Sequence, residues 1–192
     1  QQFERLSYQL LADETAVFLQ KATGLALSAA DVAALEKRTE GWIAGLQLAA
    51  LSVQGRDDAH TFITTFAGDN RYIVDYLVTE VLQRRPPHVR QFLLQTAILE
   101  QLCGGLCTAV SQQEASGELL ETLERSNLFV IPLDDRRQWY RYHHLFADVL
   151  QAHLQKEQPD ILVALHQKAS HWYETNDFLA DAVRHALVAA DD

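Results

Sequence analysis

Two adjacent histidines, His143 and His144, stand where a strand-like segment of the sequence meets a helix-like one. Tyr140 and Tyr142 alternate as in a strand, and the apolar residues that follow have the three-and-four spacing of an amphipathic helix: Phe146, Val149, Leu150 and Leu154. The first turn of a helix carries unpaired backbone N–H groups, which attract phosphate. His143 is therefore a candidate donor to a phosphate, and the pattern supports equally a packing or capping histidine at a strand-to-helix corner.

Other signatures of catalysis and metal binding are missing from the sequence. It holds no glycine-rich phosphate loop ending in Lys-Ser or Lys-Thr, no HExxH pair, no nucleophile elbow and no EF-hand loop. The histidines lack the spacing of metal ligands, since His143 and His144 point to different sides of a helix. Cys103 and Cys107 lack the second pair that a structural zinc site needs. We expect neither an enzyme nor a metal site.

Charge and hydropathy limit the partners to be expected. The 192 residues include 26 acidic and 16 basic ones, a net charge of −10, which disfavours nucleic acid and anionic membranes as main partners. No apolar run reaches the length of a transmembrane helix, and the first residues do not resemble a secretion signal. A folded cytoplasmic protein with no membrane partner is expected, and 48% hydrophobic residues suffice for its core.

The chain reads as three consecutive segments, all mainly helical. The first, residues 1–69, consists of short helices, one of which begins at a capping box formed by Ser28 and Asp31. A further helix is predicted over Glu40–Gln54. The small residues of Gly45–Ala50 favour close helix packing when the residues are considered alone.

The second segment, residues 70–157, has the element order of a winged-helix domain. A long amphipathic helix begins at Asn70 and is stopped by Pro86. Three further helices are predicted, over residues 87–98, 102–111 and 117–126. Two strands then form a hairpin before the helix that follows His143, over residues 128–133 and 138–142. Pro132 predicts an edge position for the first strand.

The last segment, residues 158–192, is predicted to be one helical hairpin that turns at Asn176 and Asp177. Its helices are expected over residues 160–175 and 178–190. Small and aromatic residues fall at offsets typical of a tetratricopeptide repeat: Ser170, Tyr173, Asp177, Ala182, Ala186 and Ala189. A single repeat leaves one face unpacked, so we expect the chain to be an internal fragment of a longer protein, with further repeats after it.

Two longer motifs, EGWIAGLQLAAL at Glu40 to Leu51 and WYRYHHLFADVL at Trp139 to Leu150, resemble the maltose-activator (MalT-like) type of large LuxR-family transcriptional regulators. Those regulators are signal-transducing ATPases with numerous domains, and the resemblance covers essentially the whole chain. It implies a P-loop domain before Gln1, a helical lid domain over residues 1–69, the winged helix, and then a superhelical sensor repeat domain. DNA contact is expected only through the family's separate C-terminal helix-turn-helix module.

The resemblance also implies contacts between the lid domain and a nucleotide. In related ATPases a Gly-Leu-Pro-Leu motif of the lid contacts the nucleotide base. Gly45, Leu46 and Leu48 match this motif, and Gln47 replaces its proline. These four residues are therefore candidates for cofactor binding.

A second implied contact lies in the winged helix. Relatives carry a Met-His-Asp motif there, whose histidine touches the β-phosphate of ADP. His143 matches that histidine, while Tyr142 and His144 replace its neighbours. The resemblance implies ATP or ADP with Mg²⁺ as cofactor of the full-length protein, a slow ATPase, and no tight nucleotide binding by this chain alone.

The function implied is a relay of nucleotide and inducer state between an ATPase core and sensor repeats, with a small molecule or a protein as inducer. One alternative is a winged helix that binds nucleic acid through Arg136, Arg137 and Arg141 of the wing, although the helix before the wing, 117–126, is acidic. A second is a nucleotide-independent adaptor that binds partner proteins through its last hairpin.

Overall fold

A computed structural model describes Val17, Trp42, Ala49, His60, Ile63 and residues 28–40, 45–47, 71–126 and 128–191. The protein is mainly helical with one antiparallel two-stranded sheet, which confirms the predicted fold class. Two compact units divide the chain, residues 1–78 and residues 79–192. No helix in the described part is both long and apolar enough to cross a membrane.

Helix α1, Ala29–Thr39, lies in the first unit and begins at the predicted capping box. The Asp31 N–H donates to Ser28 Oγ at 3.1 Å, and the Ser28 N–H donates to the Asp31 carboxylate at 3.3 Å. The bond from the Ser28 hydroxyl, followed by those from His60 and the Ser28 N–H, lowers the pKa of Asp31. Glu40 has φ 49° and caps the C-terminus of α1, so the predicted start of a second helix at Glu40 is wrong.

The predicted long helix after Asn70 is not uniform. Helix α2, Arg71–Tyr76, is followed by a π-helical segment, Leu77–Leu82. Residues five apart share a face in a π-helix, and Leu77 and Leu82 are both fully buried. Val74 and Val78, which a uniform α-helix would place on the buried face, are only half-buried.

Residues 87–157 of the second unit form four helices and a β-hairpin in winged-helix order. Their bounds are α3 Pro87–Thr96, α4 Gly104–Ser111, α5 Ser116–Arg125, β1 Val130–Pro132, β2 Tyr140–Tyr142 and α6 His144–Glu157. Helix α3 packs against α4 and α6, and α5 packs against α4 and β1. Fully buried side chains fill the space between these elements: Phe92, Leu93, Leu106, Leu120, Phe146 and Leu150.

In the β-hairpin, strand β2 lies between β1 and Leu102. Its register pairs Val130 with Tyr142 and Pro132 with Tyr140. On the other side, the Tyr140 and Leu102 backbones exchange two hydrogen bonds, both 2.8 Å long. Leu102 is therefore extended, and α4 begins at Gly104, two residues later than predicted. Among the described residues β1 pairs only with β2, which agrees with the edge position expected from Pro132.

The last elements form the predicted helical hairpin. A short 3₁₀ turn, Pro159–Ile161, precedes α7, Leu162–Thr175, and α8 is Leu179–Asp191. The chain reverses at Asp177, which has φ 65°. Helix α7 packs against α8 on one side and against α4 on the other, so the hairpin and the winged helix share one compact unit.

Candidate functional site

The junction of β2 and α6 positions His143 through the backbone. Its N–H donates to the Phe129 carbonyl at 2.8 Å, which extends the pairing of β1 and β2 by one residue. Its own carbonyl accepts from the N–H groups of Phe146 and Ala147, both at 2.9 Å. His143 is thus the N-cap residue of α6, with φ −57° and ψ 132°, and His144 is the first helical residue, as predicted.

The imidazole of His143 is held by aromatic neighbours. It stacks on His144 with ring centroids 4.9 Å apart and an interplanar angle of 15°, and it meets Phe129 edge-on at 6.0 Å. The expectation that the two histidines point to different sides of a helix is therefore wrong, because His143 precedes the helix as its N-cap residue. Phe129 also packs on Phe146, with centroids 5.1 Å apart. Only 4% of the His143 surface is exposed. Packing against these rings therefore sets the orientation of the imidazole. The His143 side chain makes no capping hydrogen bond to α6.

Tyr142 anchors the strand on the other side of the corner. The Thr96 hydroxyl donates to the Phe92 carbonyl at 2.7 Å, so the Tyr142 hydroxyl, also 2.7 Å away, must donate to Thr96 Oγ1. Burial, followed by the nearby Cys107, raises the pKa of Tyr142 above its ordinary value. The end of β2 is consequently tied to α3, and His143 follows directly.

This corner has the chemistry to recognise an anion. A histidine N–H can donate one hydrogen bond to a phosphate oxygen, and exclusion of water strengthens such a bond. The N-terminal end of a fourteen-residue helix, α6, adds a partial positive charge at the same place. Neither property by itself identifies a ligand.

The structure places three of the four predicted lid residues, all in the first unit. Gly45 is buried under the Trp42 ring, and a Cβ built on Gly45 would lie 2.4 Å from Trp42 Cε3. Leu46 is fully buried, and Gln47 is exposed. Leu48 lies outside the described residues. Gly45 and Leu46 belong to the first unit and His143 belongs to the second, and the contact of these residues with a nucleotide stays a prediction.

Two residues that support the corner, Phe129 and Thr96, are not indicated by any sequence pattern. Phe129 has φ 59°, a conformation that side chains rarely adopt, and this backbone turns its ring toward His143. Thr96 lies 46 positions before the tyrosine it binds. No local sequence signal could have found them, because a phenylalanine predicts no left-handed backbone and a helical threonine predicts no distant partner.

Two of the three wing arginines contact other groups within the protein. Arg137 pairs with Glu124 of α5 at 3.3 Å, and Arg141 Nη1 donates to the Tyr142 carbonyl at 3.2 Å. Arg136 is exposed. The pairing of Arg137 leaves the wing less basic than the sequence pattern indicates.

The fold and comparison with known families agree on the class of this domain. Residues 78–162 match the family model described as the MalT winged helix domain. The observed helices and β-hairpin have the order of a winged-helix domain, and the match makes these residues similar to the winged helix of MalT.

Similarity to individual proteins extends over most of the chain. The chain is 39% identical over 179 residues to serine/threonine-protein kinase PknK of Mycobacterium tuberculosis, in two strains, and of Mycobacterium bovis. The alignment covers 93% of this chain and 16% of each relative, so the chain spans a minor part of the length of these curated relatives.

Proposed function

We propose that this chain is a regulatory segment of a signal-transducing ATPase, in which it relays nucleotide and inducer state between an ATPase core and sensor repeats. In the proposed inactive state His143 donates a hydrogen bond to a phosphate of ADP. Exchange for ATP, favoured by an inducer on the repeats, removes this contact. The mechanism requires that each ligand binds one of two states more tightly than the other.

The observation that carries the proposal is the construction of the corner around His143. Its backbone is tied to Phe129, its ring lies between two aromatic neighbours, and it stands at the N-terminal end of α6. A donor that is oriented before the ligand arrives loses little entropy on binding. The P-loop and the ligands of Mg²⁺ would belong to a preceding domain, and the chain alone would have no enzymatic activity.

The kind of output that this segment controls is a separate question. The MalT-like resemblance favours a transcriptional regulator, whose DNA contacts are made by another module. The similarity to PknK, a serine/threonine-protein kinase by name, indicates that a segment of this type also occurs in a protein with a different output. We therefore assign the relay to this segment and its effect to whatever effector the full-length protein carries.

The experiment that tests the proposal measures nucleotide content and ADP release in the full-length protein, purified without added nucleotide. Replacing His143 with Ala removes the proposed donor, so ADP should dissociate about tenfold faster, as expected for loss of a charge-assisted hydrogen bond. His144→Ala is the matched control, because it removes the neighbouring ring and leaves His143 in place.

Two outcomes would contradict the proposal. An ADP release rate that is the same in wild type and His143→Ala would make His143 a structural corner residue. Absence of bound nucleotide in both proteins would favour an adaptor that works without nucleotide. The exposed apolar side chains of α8 are the observation that favours this second candidate: Leu179, Val183 and Leu187.

Direct binding of nucleic acid is disfavoured by the surface of α5. This helix precedes the wing and carries three acidic residues, Glu118, Glu121 and Glu124, of which Glu121 pairs with Arg125 at 3.2 Å. Entry of α5 into a DNA groove would bring these carboxylates close to phosphates. Measurable binding of duplex DNA at low salt, lost in Arg136→Ala, would revive this alternative.

A further inference from the structure

The two ends of strand β2 face different parts of the second unit. Trp139 directly precedes β2, and His143 directly follows it. Trp139 contacts Phe178, with ring centroids 5.7 Å apart and an interplanar angle of 67°. Phe178 lies in the turn between α7 and α8, where its N–H donates to the Tyr173 carbonyl at 2.9 Å. Strand β2, which is three residues long, therefore separates the contact with the hairpin of α7 and α8 from His143, the candidate nucleotide sensor.

Phe178 is held in the hairpin by further aromatic rings. It stacks on Trp172 with centroids 6.1 Å apart and an interplanar angle of 16°, and it packs on Tyr173 at 6.0 Å. Trp172 also lies against Gly105 of α4, where an added Cβ would be 3.5 Å from Trp172 Nε1. The position of the Phe178 ring relative to Trp139 thus depends on how the hairpin of α7 and α8 packs against α4.

Strand β2 is a short, rigid connection between its two ends. Tyr140 is bound to Leu102 on one side and pairs with Pro132 on the other. The Asp134 carboxylate accepts the Trp139 N–H at 2.7 Å and so holds the turn before the strand. The residues from Trp139 to His143 are extended and hydrogen-bonded to their neighbours, so no loop that could absorb a displacement lies between the two ends of β2.

An exposed ion pair joins the hairpin of α7 and α8 to the winged helix. Arg184 of α8 pairs with Glu100, which lowers the pKa of that carboxyl group, and with Asp181 at 2.7 Å. Glu100 is 73% exposed and Phe178 is 41% exposed. Exposed ion pairs contribute little free energy. The contacts at this edge are therefore of the kind that a ligand on the repeats can break.

We propose that Phe178 and Trp139 are positioning residues through which the first repeat hairpin controls His143. The inference rests on the proposed function for its nucleotide part, and its mechanical part stands by itself. Contact between the two rings keeps β2 and the corner in place. When the hairpin shifts, the contact is lost and the hydrogen bond between the His143 N–H and the Phe129 carbonyl opens more often.

The mechanical part is tested by hydrogen exchange of the His143 amide in this chain. Phe178→Ala should accelerate exchange at His143 about fivefold, the low end of typical coupling between sites. Phe178→Tyr keeps the ring and should restore the slow rate. Val183→Ala is the matched control, because Val183 lies on the same hairpin and is 58% exposed. Unchanged exchange at His143 in Phe178→Ala, with folding retained, overturns the inference.

The regulatory part is tested by ADP release from the full-length protein. Phe178→Ala should accelerate release, and it should add nothing in a protein that already carries His143→Ala, because both act through one contact. Accelerated release in His143→Ala without an effect of Phe178→Ala overturns this inference and leaves the proposed function intact. No effect of His143→Ala on ADP release overturns both the proposed function and the regulatory part of this inference. Additive effects of the two substitutions overturn the route through β2.

Discussion

At the scale of single residues, the candidate site depends on neighbours that are distant in sequence. The Tyr142 hydroxyl is fully enclosed and relies on Thr96 as its acceptor. His143 relies on a phenylalanine, Phe129, with a left-handed backbone. A buried donor that loses its acceptor costs more free energy than the hydrogen bond itself contributes. The support of the corner can therefore be tested by removing one oxygen atom.

Thr96→Val should lower the free energy of unfolding by about 2 kcal/mol, because the Tyr142 hydroxyl loses its acceptor while the side-chain shape is kept. Denaturant unfolding of this chain, followed by tryptophan fluorescence, measures the change. Thr122→Val is the control, since the Thr122 hydroxyl donates to the Glu118 carbonyl at an exposed position. Its effect should stay within about 0.5 kcal/mol. Equal losses in both variants would refute the importance of the Thr96 bond.

At the scale of elements, close packing of two helices depends on a glycine, Gly104, which faces Gly117. Gly104 begins α4 and Gly117 lies in the first turn of α5. A Cβ on Gly104 would lie 3.1 Å from the Gly117 Cα and 3.3 Å from its nitrogen. Backbone atoms cannot move aside as a flexible side chain does. The neighbouring Gly105 faces Trp172 at an ordinary contact distance.

Gly104→Ala should destabilise the chain by about 1–3 kcal/mol, because the new methyl group forces α4 and α5 apart. Gly105→Ala is a matched substitution one residue away and should be neutral or stabilising by up to about 1 kcal/mol, since alanine favours the helix. Thermal unfolding monitored by circular dichroism compares the two variants. A more stable Gly104→Ala protein would show that the helices do not approach as closely as described.

At the scale of the whole molecule, the hairpin of α7 and α8 contains a histidine pair, in which His185 is buried and His166 is half-buried. His166 Nδ1 and His185 Nδ1 are 2.8 Å apart, so one of them donates to the other. His185 is only 3% exposed and stacks on Tyr173. Burial, with smaller contributions from His166 and Arg184, lowers the pKa of His185 to about 4. Asp181 and Glu100 oppose this shift.

The lowered pKa predicts that stability decreases in mild acid. The unfolded chain binds a proton near pH 6.5 and the folded chain only near pH 4, so the contribution of neutral His185 is complete above pH 6.5 and decreases as pH falls toward 4. Urea unfolding at pH 7 and pH 5 should differ by about 2 kcal/mol from this group. His185→Phe should reduce the difference. Exposed His171 provides the control His171→Phe. An unaltered pH dependence in His185→Phe would contradict the assignment.

Much of the architecture follows from short-range patterns in the sequence. The capping box of α1, the order of helices and hairpin, the position of His143 at a helix start and the final helical hairpin agree with the structure. Caps, turns and helix periodicity involve residues a few positions apart, so the sequence itself displays them. The boundaries of the three predicted segments and the nucleotide contacts remain predictions.

Other features are decided only by the tertiary structure. The extended pairing of Leu102 depends on a distant partner, Tyr140. No sequence pattern predicted the π-helical geometry of Leu77–Leu82 or the left-handed backbone of Phe129. The sequence by itself determined the order of the helices and the β-hairpin in the second unit and the place where a histidine begins a helix. Only tertiary packing decided what surrounds that histidine and which distant rings reach the strand beside it, because such contacts join residues that no local pattern links.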